Sequence, residues 1–264
     1  MRKYWIVAKS TLQASAEYRA NWWISIASFI LPVTGLMFLW KAVFGETEKI
    51  AGYTLSEIIT YYILSRFIIQ VIPQTVWREI GDNIRTGELN LFLLRPLNYM
   101  GYYFTSIMTT NLLYGLFALT LTATFASFFR DALVLLKSHV NWALFVMSLL
   151  GGMILGFVFG TCLCLTAFWV EDVGGIMRIQ ELAGAMLSGA LIPLDLLPAW
   201  AERIANVLPF RYLLGFQAEI YLQRLSITQM AQGFGLMVVW IGTFAVLSAV
   251  MWNQGVKRYA AYGG

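Results

Sequence analysis

Long apolar segments are the feature that most restricts what this chain can fold into. Ile24–Phe44, Trp142–Val170 and Met230–Trp252 each match the roughly 20 residues that an α-helix needs to cross the hydrocarbon core of a bilayer. Only 12% of the 264 residues are charged, against about 25% in soluble domains. The segments do not alternate in polarity as the strands of a membrane barrel do. The chain is therefore predicted to be an all-α integral membrane protein.

Six spans are predicted in all. The other three are Leu55–Trp77, Tyr99–Phe129 and Ile176–Ile192, of which the last is polar at its start and stops at Pro193. The fourth span carries a ridge of small residues, most simply a face for helix packing and equally suited to be the seam with a second membrane subunit. The ridge consists of Gly151, Gly152, Gly156 and Gly160.

The first residues predict an amphipathic helix rather than a cleaved signal peptide, because the apolar run begins only near Ile24 and is too long for a signal. Over residues 2–21 polar and apolar side chains fall on different faces. Such a helix lies in the membrane interface with its cations near anionic headgroups, the alternative being an ordinary lead-in to the first span. Two units are expected: an interface helix over 1–23 and one membrane domain over 24–264.

The distribution of positive charge predicts the orientation. Six spans place both termini on one side, where ten Lys and Arg residues fall, against seven on the other side. An excess of Lys and Arg marks the cytoplasmic side, so both termini are predicted to be cytoplasmic. Because these residues are scattered and the net charge is only +4, nucleic acid is not expected as a partner.

The segment between the second and third spans is longer than a reversal of direction requires, since two to eight residues suffice for that. A charged stretch over 78–85 precedes Gly87, and Glu88–Leu94 is predicted to form a short apolar helix that Pro96 ends. We call residues 86–96 the elbow. Its exposed apolar side chains suggest a docking surface, the alternative being an interfacial helix buried against the protein's own spans. One face is shared by Leu89, Leu93 and, less squarely, Phe92.

Prolines interrupt the segment between the fifth and sixth spans. Pro198 suits the first turn of an amphipathic helix over 198–208, and Pro209 separates that helix from another beginning near Phe210. Each piece is too short to cross a bilayer, which predicts a re-entrant helical hairpin over about 193–225. Broken backbone at membrane depth is tolerated only where it is buried in protein or lines a cavity. The hairpin is therefore predicted to lie at a pathway or gate, with a surface cap as the alternative.

Two charged residues fall within the second span. Ionisable side chains inside a membrane are costly and usually functional. Glu57 and Arg66 are too far apart for one helical pair. For Arg66, an ion pair with another span or partner chain and a contact with substrate remain equally open.

Several kinds of chemistry are excluded by missing motifs. The sequence has no phosphate-binding loop and no dinucleotide fingerprint. His139 is the only histidine, which excludes an H-E-x-x-H zinc peptidase. Cys162 and Cys164 do not face one another on a helix and are interpreted as packing residues. No catalytic residue, metal ligand or cofactor-binding residue is predicted, and the chain is not expected to be an enzyme.

Taken in order, the amphipathic start, the six spans, RTGELNLFLLRP, IPLDLLPAW and LPFRY resemble the permease subunit of type-2 ATP-binding-cassette exporters over nearly the whole chain. The elbow resembles the family pattern (E/R)-x-G-x-L-x-x-x-x-x-x-P. LPFRY and the GELN-type elbow look most like a bacterial branch in which two different permeases are often encoded beside one ATPase. This implies a bacterial inner-membrane protein that pairs with a second permease, paralogous or identical, among membrane lipids.

The resemblance also assigns roles. It implies that the elbow is a coupling helix seated in a cytoplasmic ATPase dimer, which would bind ATP and Mg²⁺ in place of this chain. The coupling residues would be Arg85, where the family often has an acidic residue, together with Gly87, Glu88, Leu89, Leu91, Phe92, Leu93 and Pro96. It implies that the hairpin narrows the outer end of a pathway. The gate residues would be Pro193, Leu194, Leu197, Pro198, Leu208 and Pro209.

The expected function is thus half of an ATP-driven export pathway for an amphiphile such as a drug, lipid, glycan or peptide. The main rival is a proton-coupled secondary transporter with Glu57, Arg66 and Glu181 as a relay. Transporters of that class usually show internal repeats, and none is detected between the two halves of the chain. A lipid-modifying enzyme would need a clustered nucleophile, acid–base pair or metal set, and none is evident.

Overall fold

The computed structural model describes residues 2–17, 19–73, 78–128, 133–136, 138–170 and 172–262, and these residues form helices without a β-strand. The predicted all-α class is confirmed. The described residues form α1 (Arg2–Glu17), α2 (Arg19–Phe44), α3 (Leu55–Val71), α4 (Arg78–Thr86), α5 (Leu89–Leu93), α6 (Tyr99–Phe128), α7 (His139–Leu165), α8 (Val173–Leu187), α9 (Ala199–Val207), α10 (Gly215–Tyr221) and α11 (Ile227–Tyr262).

Among the described residues, four helices are long and apolar enough to cross a membrane. Their apolar stretches are Ile26–Phe44, Tyr99–Phe128, His139–Phe168 and Ile227–Tyr259. The predicted second and fifth spans correspond to α3 and α8, which have only 17 and 15 residues. Six crossings therefore stay a prediction. The predicted ends of the second and third spans, Trp77 and Phe129, lie outside the described residues.

The fifth predicted span is displaced toward the N-terminus. The Asp172 carboxylate accepts a hydrogen bond from the Gly174 N–H at 2.8 Å, and this N-cap starts α8 three residues before the predicted Ile176. The helix ends at Leu187 instead of Ile192, since Gly189 follows with a φ of +87°. That left-handed conformation suits glycine and ends a helix. The stop signal is thus Gly189 and not Pro193.

The connecting segments gather at two ends of the bundle. At the hairpin end, the Arg224 guanidinium donates to the Gly52 carbonyl at 3.3 Å, and the rings of Trp142 and Tyr221 lie 5.5 Å apart. At the elbow end, Lys3 Nζ donates to the Pro96 carbonyl at 2.9 Å, which ties α1 to the elbow. Helix α1 also packs along α6, as α3 does, while α11 packs along α7.

Buried side chains form a main core toward the hairpin end and a separate core at the elbow end. The second, which we call the elbow core, joins the elbow to four longer helices and to the 3₁₀ turn that follows α7. It consists of Ile80, Ile84, Leu89, Tyr99, Tyr103, Ile107, Phe157, Cys164, Leu165, Phe168, Val173 and Met177. Cys164 is fully buried in it, in agreement with a packing role.

The glycine ridge of α7 packs against the protein's own helices. A Cβ at Gly151 would lie 2.3 Å from Met237 Sδ, and one at Gly152 would lie 2.5 Å from Ile72 Cδ1. A Cβ at Gly156 would lie 3.0 Å from the Pro73 carbonyl oxygen. These positions exclude larger side chains because neighbouring segments approach closely. At these three glycines the ridge is a packing face within the chain.

Candidate functional site

The elbow consists of a glycine turn and the short helix α5, and it follows directly on α4. Gly87 joins α4 to α5 with a φ of +86°, a conformation that glycine adopts without the strain a Cβ would cause. The N–H groups of Asn90 and Leu91 donate to the carbonyls of Gly87 and Glu88, each at 3.1 Å, and so begin α5. Helix α5 lies within one residue of the predicted helix at each end. Helix α4 was not predicted, although the four-residue spacing of the buried Ile80 and Ile84 is a helical signal.

The leucines of the elbow divide between an inner and an outer face. Leu89 is 0% exposed and belongs to the elbow core. Leu91 and Leu94 are 63% and 83% exposed, and Leu93 is 46% exposed. We call Leu91, Leu93 and Leu94 the leucine face. Leu89 therefore supports the elbow from inside, and Leu94, absent from the sequence prediction, is the most exposed apolar residue of the elbow.

Aromatic rings support the inner face of the elbow. The Phe92 ring lies 5.2 Å from that of Tyr99 and 5.0 Å from that of Tyr102, in edge-to-face arrangements. The Asn83 side-chain amide of α4 donates to the Tyr103 hydroxyl at 2.5 Å. Aromatic pairs of this kind add stabilisation beyond the area that they bury. The elbow is consequently packed and hydrogen-bonded onto the start of α6.

The polar residues of the elbow are exposed. Arg85 lies 3.8 Å from Asp82, with both side chains about half or more exposed, so this ion pair contributes little to stability. Glu88 is exposed and forms no side-chain cap for α5. Pro96 is exposed and its carbonyl accepts the bond from Lys3. Within the part of the chain that the structure describes, Arg85 and Glu88 thus make no strong contact that would hold them away from a partner.

The segment predicted to form the hairpin contains the predicted helix over 198–208 as α9, with 3₁₀ turns at Leu194–Leu196 and Pro209–Leu213. Its inward residue is Ala205, which is fully buried, whereas the neighbouring Ile204 is exposed. The predicted gate residues occupy different depths. Pro193, Leu194 and Pro209 are buried, Leu197 and Leu208 are half-buried, and Pro198 is exposed.

Hydrogen bonds fasten the base of the hairpin to α3. The hydroxyls of Tyr61 and Tyr62 donate to the carbonyls of Gly189 and Leu191, each at 2.8 Å. The Gly215 N–H donates to the Ser188 carbonyl at 2.9 Å and closes the hairpin on itself. A Cβ at Gly189 would lie 2.3 Å from the Tyr61 hydroxyl oxygen, which is a second reason for glycine there.

Two ion pairs that the sequence did not indicate lie within the hairpin. Arg211 pairs with the nearly fully buried Glu219, and Arg224 Nε lies 3.3 Å from Asp195 Oδ2. Burial raises the pKa of Glu219 to about 7, against the opposing charge of Arg211. All four side chains line a cavity of about 420 Å³ beside the start of α11. A carboxylate in the mostly apolar stretch FQAEIYL was the signal available in the sequence.

The same network joins the hairpin to the loop before α3. The Tyr53 hydroxyl donates to Asp195 Oδ2 at 3.0 Å, and the Arg224 guanidinium lies 3.6 Å from the centre of the Tyr53 ring. Burial, followed by the charge of Asp195, raises the pKa of Tyr53, which keeps it a neutral donor. The loop, the 3₁₀ turn and the segment after α10 are held together by these contacts.

The two charges predicted within the second span occupy unlike positions. Glu57 is in the first turn of α3, where its carboxylate accepts the Thr54 N–H at 2.8 Å in a capping box. Arg66 lies inside α3, is half-buried, and has no hydrogen-bonding or ion-pairing partner within the described ranges. Glu57 therefore has a structural role that accounts for its charge, and Arg66 does not.

Helix α8 faces a groove on α3. A cavity of about 190 Å³ is lined by residues such as Ile69, Gln180, Gly184 and Ser188. Gln180 is buried, and within the described part of the chain its carbonyl oxygen has no hydrogen-bond donor. The opposite side of α8 exposes Ile179, Leu182 and Met186. The helix thus presents apolar residues outward and polar residues toward the groove.

Comparison with known proteins places this geometry in a family. The family model described as ABC-2 family transporter protein matches residues 30–263, well over half of the chain. The chain belongs to the ABC-2 transporter family. It is a permease subunit of an ABC transporter and a multi-pass membrane protein. The ABC-2 permeases are the membrane component, are not themselves catalytic, and associate with a cytoplasmic ATPase. No curated protein matches the chain.

Proposed function

We propose that this ABC-2 permease forms half of an ATP-driven export pathway and receives its movement through the leucine face of the elbow. The observation that carries the proposal is an exposed apolar surface on a firmly packed support. Leu91 and Leu94 are exposed while Leu89, close to them in sequence, is buried in the elbow core. Exposed apolar side chains on a rigid support of this kind suit a protein partner, and the partner of this family is the ATPase.

The division of the elbow into two faces suits a coupling element. The outer face would bind the ATPase, with Arg85 and Glu88 at its rim. The inner face, through Leu89 and Phe92, would pass displacement to the helices because tightly packed side chains move together. Gly87 would hold the angle between α4 and α5.

A second permease, paralogous or identical, would cover α8 and complete the pathway. Support comes from the exposed Ile179, Leu182 and Met186 on a helix that also carries the buried, unpaired Gln180 oxygen. Arg66 on α3 adds a charge that has no ion-pairing partner among the described residues, which is costly facing lipid. We infer that α3 and α8 line the pathway and that Arg66 faces the partner permease or the substrate.

The hairpin would close the outer end of this pathway as a re-entrant gate. Its base is bonded to Tyr61 and Tyr62, which lie in the second turn of α3 and not at its first residue. The base of the hairpin therefore lies alongside α3, past the first residue of that helix. This depth supports a hairpin that re-enters the membrane. The many aromatic and Met side chains of the chain suit an amphiphilic substrate.

We further propose that the protein lies in a bacterial inner membrane with both termini and the elbow in the cytoplasm. The excess of Lys and Arg on the side of the termini supports this orientation. The termini-proximal α1 and the elbow are bonded to one another and so lie on one side. The rival proton relay loses support from the capping role of Glu57.

The test is reconstitution with the ATPase encoded nearest to the permease gene. The wild-type pair in liposomes should bind one another and move a fluorescent amphiphile only with ATP and Mg²⁺. The double variant Leu91→Asp with Leu94→Asp should insert normally yet fail to retain the ATPase. The matched control is Leu135→Asp, at an exposed leucine of the hairpin end. Transport by the permease alone, or normal ATPase capture by the double variant, would refute the proposal.

A further inference from the structure

Helix α11 contacts the elbow core at one end and the hairpin at the other. At both places a phenylalanine ring packs directly against a glycine of α11. A Cβ at Gly255 would lie 2.1 Å from Phe168 Cδ2, and a Cβ at Gly233 would lie 2.2 Å from Phe216 Cε2. Neither site accepts a side chain without moving a buried ring. Each of these glycines therefore leaves a recess in the surface of α11, and a phenylalanine ring fills it.

On the elbow side, aromatic rings form a continuous path from α5 to α11. The Phe92 ring lies 5.2 Å from Tyr99, and the Tyr99 ring stacks on Trp252 at 5.1 Å with an interplanar angle of 14°. Trp252 in turn lies 6.1 Å from Phe168, the ring seated on Gly255. The elbow is distant from α11 in sequence, and these contacts join the two. The elbow also meets α11 at Gly87, where a Cβ would lie 3.8 Å from the Tyr259 hydroxyl oxygen.

On the hairpin side, α11 is held by rings and by a hydrogen bond. The Phe234 ring packs edge-on against Phe216 of α10 at 5.2 Å. The Trp240 indole N–H donates to the Val207 carbonyl at the end of α9 at 2.8 Å. Movement of this part of α11 would therefore act on both helices of the hairpin.

The helix between these contacts is suited to transmit displacement. Gly233 and Gly255 are 22 residues apart, which is about 33 Å along an α-helix. Helix α11 is continuous over its 36 residues and contains no proline, the commonest cause of a kink. It also packs along α7, which supports it laterally.

We propose that α11 is a connecting rod that passes movement of the elbow to the outer hairpin, with Trp252 as the positioning residue at its elbow end. This inference rests on the proposed function, since the ATPase must move the elbow. Beyond the proposed function, it states that the gate at the hairpin end moves when α11 moves, through the contact between Gly233 and Phe216. Coupling of this kind requires a physical network that both sites bias.

The experiment follows the hairpin directly. Spin labels at Arg203→Cys on α9 and Leu135→Cys, with Cys162→Ala and Cys164→Ala, report the distance between the hairpin and its surroundings in permease–ATPase complexes in nanodiscs. The wild-type background should change this distance on addition of ATP. Trp252→Leu and Gly233→Ala should each abolish the change and lower transport about tenfold, within the usual range of coupling between sites. ATPase binding and hydrolysis should stay at the wild-type level in both.

Three comparison variants separate coupling from general damage. Trp169→Leu removes another tryptophan that contacts Phe168, outside the path between α6 and α11, and should keep the response. Trp252→Phe keeps a ring against Tyr99 and should restore it. Gly233→Ala combined with Phe216→Leu gives the added methyl group room and should recover part of it.

The outcomes are distinct. A hairpin that responds normally in both Trp252→Leu and Gly233→Ala overturns the rod while leaving the proposed function intact. A wild-type permease that does not bind the ATPase overturns the proposed function and the rod with it. If Trp252→Leu does not fold, Gly233→Ala, which leaves the elbow core untouched, decides the matter alone.

Discussion

Replacing Leu89 and Leu94 separately by alanine should give two different defects. Both substitutions remove the same atoms, and the two residues are only five positions apart. Leu89 is 0% exposed and Leu94 is 83% exposed. We expect Leu89→Ala to destabilise the elbow core and Leu94→Ala to weaken ATPase binding without destabilising the permease.

The magnitudes follow from burial. Leucine to alanine in a core costs about 2–5 kcal/mol, so Leu89→Ala should lower the midpoint of thermal unfolding by roughly 6–12 °C for a loss near 3 kcal/mol. Leu94 has nearly its whole side chain to bury against a partner, worth about 2 kcal/mol. That corresponds to an increase of roughly 30-fold in the Kd for the ATPase.

The assay pairs thermal unfolding of the purified permease in nanodiscs with titration of the ATPase on immobilised permease. Leu135→Ala, at an exposed leucine of the hairpin end, is the control and should change neither quantity. An unchanged Kd in Leu94→Ala, together with a raised Kd and unchanged midpoint in Leu89→Ala, would show that the assignment of the two faces is wrong.

The remaining predictions concern the elbow turn and the hairpin. Gly87→Ala should lower ATPase capture, because a Cβ at a φ of +86° costs about 1–2 kcal/mol. Gly87→Asn should lower it less, since asparagine tolerates this conformation better. Pull-down of the ATPase compares the two variants. Tyr61→Phe should destabilise the base of the hairpin by about 1 kcal/mol, seen as faster proteolysis of 188–226 than in the wild type. Glu219 has a pKa raised above its unfolded value, so its contribution to stability is present below about pH 4.5 and is lost as the pH rises through about 7. Melting curves should show this loss in the wild type, and Glu219→Gln should remove it; an identical pH profile in both would contradict it.

The sequence was sufficient for the features that repeat along one helix or turn. Apolar segments of spanning length predicted the bundle, and Gly87 with Pro96 delimited α5 to within a residue or two. Pro198 and Pro209 bounded α9 correctly because proline constrains the backbone locally. The boundary of α8 was displaced because Asp172 and Gly189 are weaker local signals than the apolar run that they interrupt.

Features that depend on other segments could not be predicted. Leu89 and Leu94 are equally apolar, and only the packing of α5 against α6 and α11 decides which of them is buried. The pairing of Arg211 with Glu219 requires the 3₁₀ turn that brings them together. Arg66 and Glu57 looked alike as charges in a span. The capping box gives Glu57 a role at the end of a helix, whereas Arg66 pairs with no residue that the structure describes.

The shortness of α8 has a consequence for the surrounding lipid. Fifteen residues rise only about 22 Å, whereas the hydrocarbon of a typical bilayer is about 30 Å thick. In the proposed arrangement, acyl chains that reach α8 at the edge of the second permease would compress, or headgroups would dip inward, to match it, each at a modest energetic cost per ångström. A molecule with an apolar tail and a polar head would cross the thinnest part of the hydrocarbon core beside this helix.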